Sequence, residues 1–329
     1  ITITGTNDTP VVSATDTSTG DVAALTETDT TLSSSGSLTV TDVDTSDTVT
    51  AAVSSVALSG SFTSSGSTLP STLSANSNQA LLNMLVLSNP AANTAMAADS
   101  SAGSSFNWTF TSGAAGDSAF DFLREGETLT LTYTLTLTDN SAATSPQASP
   151  TTTTTVAVTI TGTNDTPFIT NAPDTSALTE TNASISDNGF FTVTDIDLTD
   201  TITATVDSVA ITGGSFNAAQ VPLSSSELKA MLALSVSSGS TSTIPANPTA
   251  GSNFTWTFTS GPSTGGGNKA FEFLAAGETL ELTYTVKTQD NSPTRTGKAS
   301  DFATSTVTVT VTGTNDTPAI TVVDVTGAV

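Results

Sequence analysis

The side chains of this sequence that could bind a ligand or take part in chemistry are mainly carboxylates. Its 329 residues include 30 Asp and Glu against 6 Lys and Arg, with a formal net charge of −24 and no Cys or His. Histidine bases, thiolate nucleophiles and zinc or transition-metal sites therefore cannot be built. A bound metal must be a hard cation held by oxygen atoms. The shortage of Lys and Arg argues against nucleic acid and anionic membrane surfaces as partners, because both require clustered positive charge.

The sequence is a tandem repeat. The hexapeptide Gly-Thr-Asn-Asp-Thr-Pro occurs three times, beginning at Gly5, Gly162 and Gly313, and matching segments follow it in the same order. The predicted organisation is the end of a preceding repeat with a linker at 1–10, repeat 1 at 11–161, a linker at 162–167, repeat 2 at 168–312, and a linker with the start of a next repeat at 313–329.

Both ends of the sequence look like parts of further copies. Ile1 to Thr4 is expected to be the last strand of an upstream copy, and Ala319 to Val329 the first strand of a third copy. The first ten residues have no charged n-region or apolar h-region, and no apolar run approaches the roughly 18 residues of a membrane helix. We therefore expect the sequence to begin inside a longer protein and to have no membrane-inserted segment.

Acidic residues recur at matched positions of the two copies. They occur in Leu-Thr-Glu, Thr-Asp-Val/Ile-Asp, Gly-Glu-Thr-Leu and Asp-Asn-Ser, and in the hexapeptide. In a seven-stranded Greek-key sandwich, these motifs segregate to two opposite ends. At the middle hexapeptide we expect ligands from both copies and the linker: Glu27, Glu127, Asn164, Asp165, Asp195, Asp197 and Asp290. Matching positions elsewhere complete the predicted metal ligands: Asp8, Asp42, Asp44, Asp139, Glu180, Glu278 and Asp316.

Such a convergence of carboxylates favours a bound cation. Two close carboxylates repel by about 1 kcal/mol in water and by about 4 kcal/mol at an effective dielectric constant of 20. Ca²⁺ accepts six to eight oxygen ligands in flexible geometry, so it is the predicted cofactor, with about two or three ions at the middle hexapeptide. An EF-hand does not fit, because Asp47 stands where its loop needs Gly and Val53 where it needs Glu. The open alternative is that acidic loops only keep the surface soluble.

The elements that must position these acids are strands. Leu129 to Leu137 alternates apolar residues with Thr, which predicts a half-buried strand. The Phe-x-Trp-x-Phe runs place Trp108 and Trp256 in the core, the alternative being an exposed sugar-binding platform. Ser224 and Glu227 form a capping-box pattern that predicts a short helix. The predicted fold class is all-β: two tandem Greek-key β-sandwiches in a rod, each with a short inserted helix.

The motifs together resemble the cadherin fold and, more closely, the VCBS-type cadherin-like repeats in the extender regions of giant bacterial RTX adhesins. The resemblance covers nearly the whole of both repeats, and its junction motif, Thr-Gly-Thr-Asn-Asp-Thr-Pro, is fairly specific. It implies cadherin- or Ig-like sandwiches that bind calcium between domains through the residues named for the middle hexapeptide. The repeats are longer than a cadherin domain, through insertions near 63–105 and 217–253, and the RTX motif Gly-Gly-x-Gly-x-Asp is absent.

The leading hypothesis is structural: a calcium-rigidified spacer, or extender, of an adhesin on the bacterial cell surface. Its expected partners are the neighbouring repeats of the same polypeptide, and the protein is expected to be monomeric and extracellular and not to be an enzyme. The main alternative is a calcium-dependent ligand-binding or homophilic adhesion module. Catalysis by paired carboxylates would need a cleft that small sandwiches seldom provide, and ice binding would need longer and more regular Thr arrays.

Overall fold

The structure is a computed structural model and forms two compact units. It describes residues 1–14, 20–64, 66, 68–70, 79–88, 96–97, 103–113, 119–141, 150–236, 243–246, 250–261, 270–292 and 302–318. The first unit comprises Ile1–Asp165 and Asp197–Thr199, and the second comprises Thr166–Ile196 and Asp200–Val329. Residues 1–10 contain no strand, unlike the expectation for Ile1 to Thr4. The expected strand at 319–329 lies outside the described residues.

The first unit is built from strands of strong period-two alternation. Its elements are β1 (Val11–Ala14), β2 (Gly20–Thr26), β3 (Ser33–Thr41), β4 (Thr48–Ser59), α1 (Ser61–Ser64), α2 (Gln79–Leu82), β5 (Leu85–Ser88), β6 (Met96–Ala97), β7 (Ser104–Thr111), β8 (Thr128–Asp139) and β9 (Thr151–Thr161). One sheet has the order β1-β3-β7-β5 and the other β2-β9-β8-β4-β6. The β2–β9 pair is parallel, and the other strand pairs among the described residues of the unit are antiparallel.

The second unit repeats this topology. Its elements are β10 (Phe168–Thr170), β11 (Asp174–Thr179), β12 (Ser186–Thr194), β13 (Thr201–Gly214), a 3₁₀ helix (Ala218–Gln220), α3 (Ser225–Ala230), β14 (Leu232–Val236), β15 (Thr243–Pro245), β16 (Ser252–Thr259), β17 (Thr279–Gln289) and β18 (Phe302–Thr312). Its sheets have the orders β10-β12-β16-β14 and β11-β18-β17-β13-β15. Among the described residues, no helix is long and apolar enough to cross a membrane.

The all-β sandwich class is confirmed, but each unit has nine described strands instead of the predicted seven. The predicted first strand is divided between the two sheets. In the second unit the division falls between β10 and β11, where Asn171 has φ of 57° and Pro173 has no N–H to donate to a ladder. The other extra strands, β6 and β15, come from the insertions and pair with β4 and β13.

The core positions predicted from alternation are confirmed. The side chains of Trp108 and Trp256 are buried. Each indole N–H donates to a buried or half-buried aspartate on the opposite sheet, Trp108 to Asp21 Oδ2 at 2.7 Å and Trp256 to Asp174 Oδ2 at 2.8 Å. On the neighbouring strand of the same sheet, the residue paired with each Trp is a glycine, Gly36 or Gly189. A Cβ at Gly36 would lie 2.6 Å from the Trp108 ring.

The predicted capping box begins helix α3. Ser224 Oγ accepts the Glu227 N–H, and the Glu227 carboxylate accepts the Ser224 N–H at 2.8 Å. Within this helix the Leu228 side chain is buried, and the Leu228 carbonyl accepts the Tyr284 hydroxyl at 2.9 Å. In the first unit Tyr133 donates to the Leu81 carbonyl at the same distance, so the insertion of each unit is fastened to its core strand in the same way.

Candidate cation sites at the two ends of each unit

Each unit carries one acidic cluster where the chain enters it and another where the chain leaves it. In the first unit Glu127 directly precedes β8 and Asp139 ends it, so the two clusters lie at opposite ends of this strand. We call the carboxylates beside the outgoing hexapeptide the exit cluster: Glu27, Asp121, Glu127 and Asp165 in the first unit, and Glu180, Glu272 and Asp316 in the second. The entry cluster contains Asn7, Asp8, Asp42, Asp44, Asp47 and Asp139 in the first unit, and Asp195, Asp200 and Asp290 in the second.

The exit cluster of the first unit is positioned by Gly162. Its N–H donates to the Glu127 carbonyl at 2.8 Å, and its carbonyl accepts the Gly126 N–H at 3.1 Å. A Cβ on Gly162 would lie 2.1 Å from the Leu123 carbonyl oxygen, so only glycine lets the hexapeptide approach the turn before β8 this closely. Glu27 extends the β2–β9 ladder on the other side of the hexapeptide, donating its N–H to Thr161.

One oxygen of Glu27 is used by the hexapeptide and the other is left over. Thr163 donates its N–H and its hydroxyl to Glu27 Oε2, at 3.1 and 2.5 Å. Among the described residues, no donor reaches Glu27 Oε1, although the side chain is only 1% exposed. A buried carboxylate oxygen without a donor is costly. An oxygen in this state is free of donors from the described residues and is chemically able to coordinate a cation.

The same arrangement recurs at the end of the second unit. Thr314 donates its N–H and hydroxyl to Glu180 Oε2, at 3.0 and 2.8 Å. Glu180 is 3% exposed, and within the described part of the chain Oε1 has no donor. Glu180, Glu272 and Asp316 each place one carboxylate oxygen so that all three lie within 4.8 Å of one another.

Asp121 joins the exit cluster of the first unit and was missed by the sequence analysis. Burial raises the pKa of Asp121 to about 7, and the charges of Glu27, Asp165 and Asp29 add to the effect. Among the residues described, no donor reaches Asp121 Oδ1 or Glu127 Oε2. Glu127 Oε1 lies 3.9 Å from Arg124 Nε. The cluster is therefore strongly acidic, with one guanidinium at its edge.

The entry cluster of the first unit is connected by hydrogen bonds. Asp8 donates its N–H to Asp44 Oδ2 at 2.8 Å, and Asn7 Nδ2 donates to Asp139 Oδ2 at 3.3 Å. Asp42 is 2% exposed, and its Oδ2 receives no donor from the described residues. Burial raises the pKa of Asp42 against the lowering effect of the Asp44 N–H, and the charges of Asp139, Asp44 and Asp47 raise it further.

The entry cluster of the second unit brings three buried aspartates together. Asp195, Asp200 and Asp290 each place one carboxylate oxygen within 4.8 Å of the other two. Ser292 fixes two of them, donating its hydroxyl to Asp200 Oδ2 at 2.7 Å and its N–H to Asp290 Oδ1 at 3.0 Å.

The predicted residues are thus partly brought together. Asp195 lies with Asp290, Glu180 lies with Asp316, and hydrogen bonds link Asp8 to Asp44 and Asp139 to Asn7. The Asp165 N–H donates to Asp197 Oδ2 at 2.8 Å within the first unit. Glu278 instead accepts the Ala275 N–H at 2.8 Å, and Asn164 is half-buried. Metal binding by all fourteen predicted residues stays a prediction.

Four further acids belong to these clusters and were absent from the predicted ligands: Asp47, Asp121, Asp200 and Glu272. Each pair occupies matched positions of the repeat, which is the signal that could have found them. These sets of oxygen ligands fit a hard cation, because they consist mainly of carboxylates, and each includes at least one that is buried. Oxygens that share a Ca²⁺ at 2.3 to 2.6 Å lie up to about 5 Å apart, which suits the two sets of three.

No protein-family model matches the sequence, and no curated protein matches it. Among solved structures it is similar to repeats EC1-3 of mouse protocadherin-24 (13% identity, TM-score 0.30, covering 94% of this chain and 72% of that one). It is similar to the sialic acid binding region of a Streptococcus sanguinis SK1 adhesin (8%, 0.25, 94% and 78%) and to a Porphyromonas gingivalis W83 protein of unknown function (11%, 0.25, 92% and 99%). TM-scores this low do not establish a shared fold or function. The fold is therefore assigned from the strand pairing, and the candidate sites from their geometry.

Proposed function

We propose that this chain is a pair of extender repeats, structural spacers of a large bacterial cell-surface adhesin, which Ca²⁺ makes rigid at the ends of the units. The observation that carries the proposal is the repeated pair Glu27 and Glu180. In both units a buried glutamate gives one oxygen to the hexapeptide threonine and keeps the other without a donor among the described residues. Two copies with the same leftover oxygen support a site and not a local defect.

Calcium suits these clusters better than the smaller magnesium ion. Mg²⁺ requires near-octahedral geometry at about 2.1 Å and retains most of its water, whereas Ca²⁺ tolerates irregular carboxylate cages. Three buried carboxylates, as at Asp195, Asp200 and Asp290, repel one another strongly without a cation. A divalent ion would convert this repulsion into attraction, so we expect ion binding to stabilise the folded state.

The places where the clusters attach support the proposed spacer role. Gly162 and Thr163 of the hexapeptide are fastened to the turn before β8 and to Glu27, and Asp165 follows two residues later. An ion held by Glu27 and Asp165 would fasten the hexapeptide to the first unit along its length. Stiffening of this kind serves a protein that holds another domain away from a cell, and calcium is plentiful outside cells. This supports an extracellular location at the bacterial surface.

Thermal unfolding of the full chain tests the calcium proposal. A ligand that binds only the folded state at a concentration 100 times its Kd adds about 2.7 kcal/mol of stability per site. For units of about 150 residues this raises Tm by roughly 5 to 10 °C. We expect millimolar CaCl₂ to raise Tm over EDTA by at least this amount, with a smaller effect of MgCl₂.

Two matched variants show whether the clusters are responsible. Glu27→Gln and Glu180→Gln should each reduce the calcium effect, because they remove the charge of a buried carboxylate whose Oε1 receives no donor from the described residues. Asp207→Asn removes an exposed acid from β13 and should leave the calcium effect unchanged. Equal Tm values of the parent protein in EDTA and in calcium would contradict the calcium proposal.

A further inference from the structure

An acid lies between two aromatic residues in the turn that precedes β8 and in the matching turn before β17. In the first unit Asp121 stands between Phe120 and Phe122, both of which are buried. The Phe122 ring packs edge-on against Phe62 with centroids 4.9 Å apart, and the Leu123 N–H closes the turn on the Phe120 carbonyl at 3.0 Å. The aromatic core therefore fixes the backbone of Asp121.

The second unit has the same turn with a glutamate. Glu272 lies between Phe271 and Phe273, and the Leu274 N–H donates to the Phe271 carbonyl at 3.0 Å. The Phe273 ring packs against Phe216 with centroids 4.9 Å apart. Acid and aromatic residues thus keep the same order in both units, and only the length of the acidic side chain differs.

Both acids lie beside the buried glutamate that accepts hydrogen bonds from the hexapeptide threonine, Glu27 in the first unit and Glu180 in the second. The Asp121 carboxyl is 8% exposed and lies within hydrogen-bonding reach of Glu27, and no donor of the described chain reaches its Oδ1. In the second unit the Glu272 carboxylate lies within 4.8 Å of an oxygen of Glu180. Two ionised acids that face each other repel, whereas an amide of equal size in place of one of them would fill the same space without this repulsion.

We infer that Asp121 and Glu272 are cation ligands, and that through them an ion at each exit cluster is tied to the aromatic core of its own unit. The inference rests on the proposed function and adds residues to its sites. The leftover oxygens Glu27 Oε1 and Glu180 Oε1, which are bound to no donor of the described residues, supply the independent sign of a ligand at the same places. Ion binding should therefore stabilise the fold of each unit as well as hold the hexapeptide.

The test uses the full chain with CaCl₂ as the probe. Parent, Asp121→Asn and Glu272→Gln are compared in thermal unfolding at pH 8, in EDTA and in calcium, and in calorimetric calcium titrations. We expect each variant to melt in EDTA at the parental temperature or higher, because a repelling charge is gone. We also expect each variant to lose at least about tenfold in affinity at one class of sites. Asp29→Asn, which removes an exposed acid near Asp121, should keep the parental affinity.

The outcomes separate the inference from the proposed function. If Glu27→Gln loses calcium affinity while Asp121→Asn and Glu272→Gln keep it, the inference is overturned and the proposed function stands. Variants that are already less stable than the parent in EDTA would give the acids a structural role and would also overturn it. Because Glu272 is only half-buried, its amide variant gives a readout even if Asp121→Asn fails to fold. A parent protein that does not bind calcium would defeat the proposed function itself.

Discussion

At the scale of single residues, the carboxyl of Asp121 makes stability depend on pH. Burial raises its pKa to about 7, and the charges of Glu27, Asp165 and Asp29 contribute. An aspartate in an unfolded chain titrates near 3.9. Between these two values the folded state binds more protons than the unfolded state, so its stability falls as the pH rises. The stabilisation from the protonated carboxyl is present below pH 4 and is lost by about pH 7.

This effect can be measured in EDTA by comparing the parent with Asp121→Asn. We expect the two proteins to have similar Tm values at pH 5. Between pH 5 and pH 8 the Tm of the parent should fall more than that of Asp121→Asn, because asparagine cannot ionise. Tryptophan fluorescence is a suitable probe, since Trp108 reports the core of the first unit. The same dependence on pH in both proteins would show that Asp121 titrates at an ordinary pKa.

The sequence predicted residues well where one physical rule decides their place. Alternation was enough to place Trp108 in the core, and the capping pattern was enough to begin a helix after Ser224. Neither rule identified Asp121, because alternation predicts that an acid between two buried phenylalanines points to solvent. Its burial depends on the turn that packs Phe120 and Phe122, which no local pattern encodes.

At the scale of elements, the hexapeptide and the turn before β8 act as one piece. Gly162 lies so close to the Leu123 carbonyl that no side chain fits, and its backbone is bonded to Gly126 and Glu127. Moving the hexapeptide would pull Thr163 away from Glu27 and disperse the exit cluster. Gly162 is therefore a packing requirement of the candidate site.

The prediction at this scale is that Gly162→Ala lowers both stability and calcium affinity. A Cβ placed 2.1 Å from a backbone oxygen forces the hexapeptide outward, and we expect a loss of about 1 to 3 kcal/mol, typical of overpacking. Gly5→Ala is the matched control from the first hexapeptide, because no atom lies within 4 Å of its added Cβ. Chemical denaturation with and without calcium measures both effects. Equal behaviour of the two variants would contradict the packing argument.

Sequence patterns predict long strands better than short ones. The long alternating run of β8 was predicted, since apolar residues alternate with Thr along most of its length. The division of the first strand into β10 and β11 was not, because both pieces are short. It depends on which sheet offers a partner to each piece: β12 for one and β18 for the other.

At the scale of the whole molecule, the charge of the chain decides how it should respond to ions. Thirty acids against six basic residues leave a net charge of −24, and such a chain repels itself when salt is low. Ions bound at the clusters would remove charge at the places where the hexapeptides begin and end. We therefore expect calcium to change the shape distribution of the protein as well as its melting temperature.

Small-angle scattering of the full chain tests this last prediction. With EDTA we expect a broad distribution of interatomic distances, because the repelling acids loosen the part of the linker at 162–167 that follows Thr163. With calcium the distribution should narrow and its maximum dimension should become sharply defined. Glu27→Gln should abolish the calcium effect, since Glu27 binds Thr163 of this linker. Glu180→Gln is the matched control, because Glu180 binds Thr314 of the following hexapeptide and should leave the effect in place. If both variants respond as the parent does, or if the parent gives one profile in both conditions, the linker is not controlled by calcium and the spacer mechanism has to be abandoned.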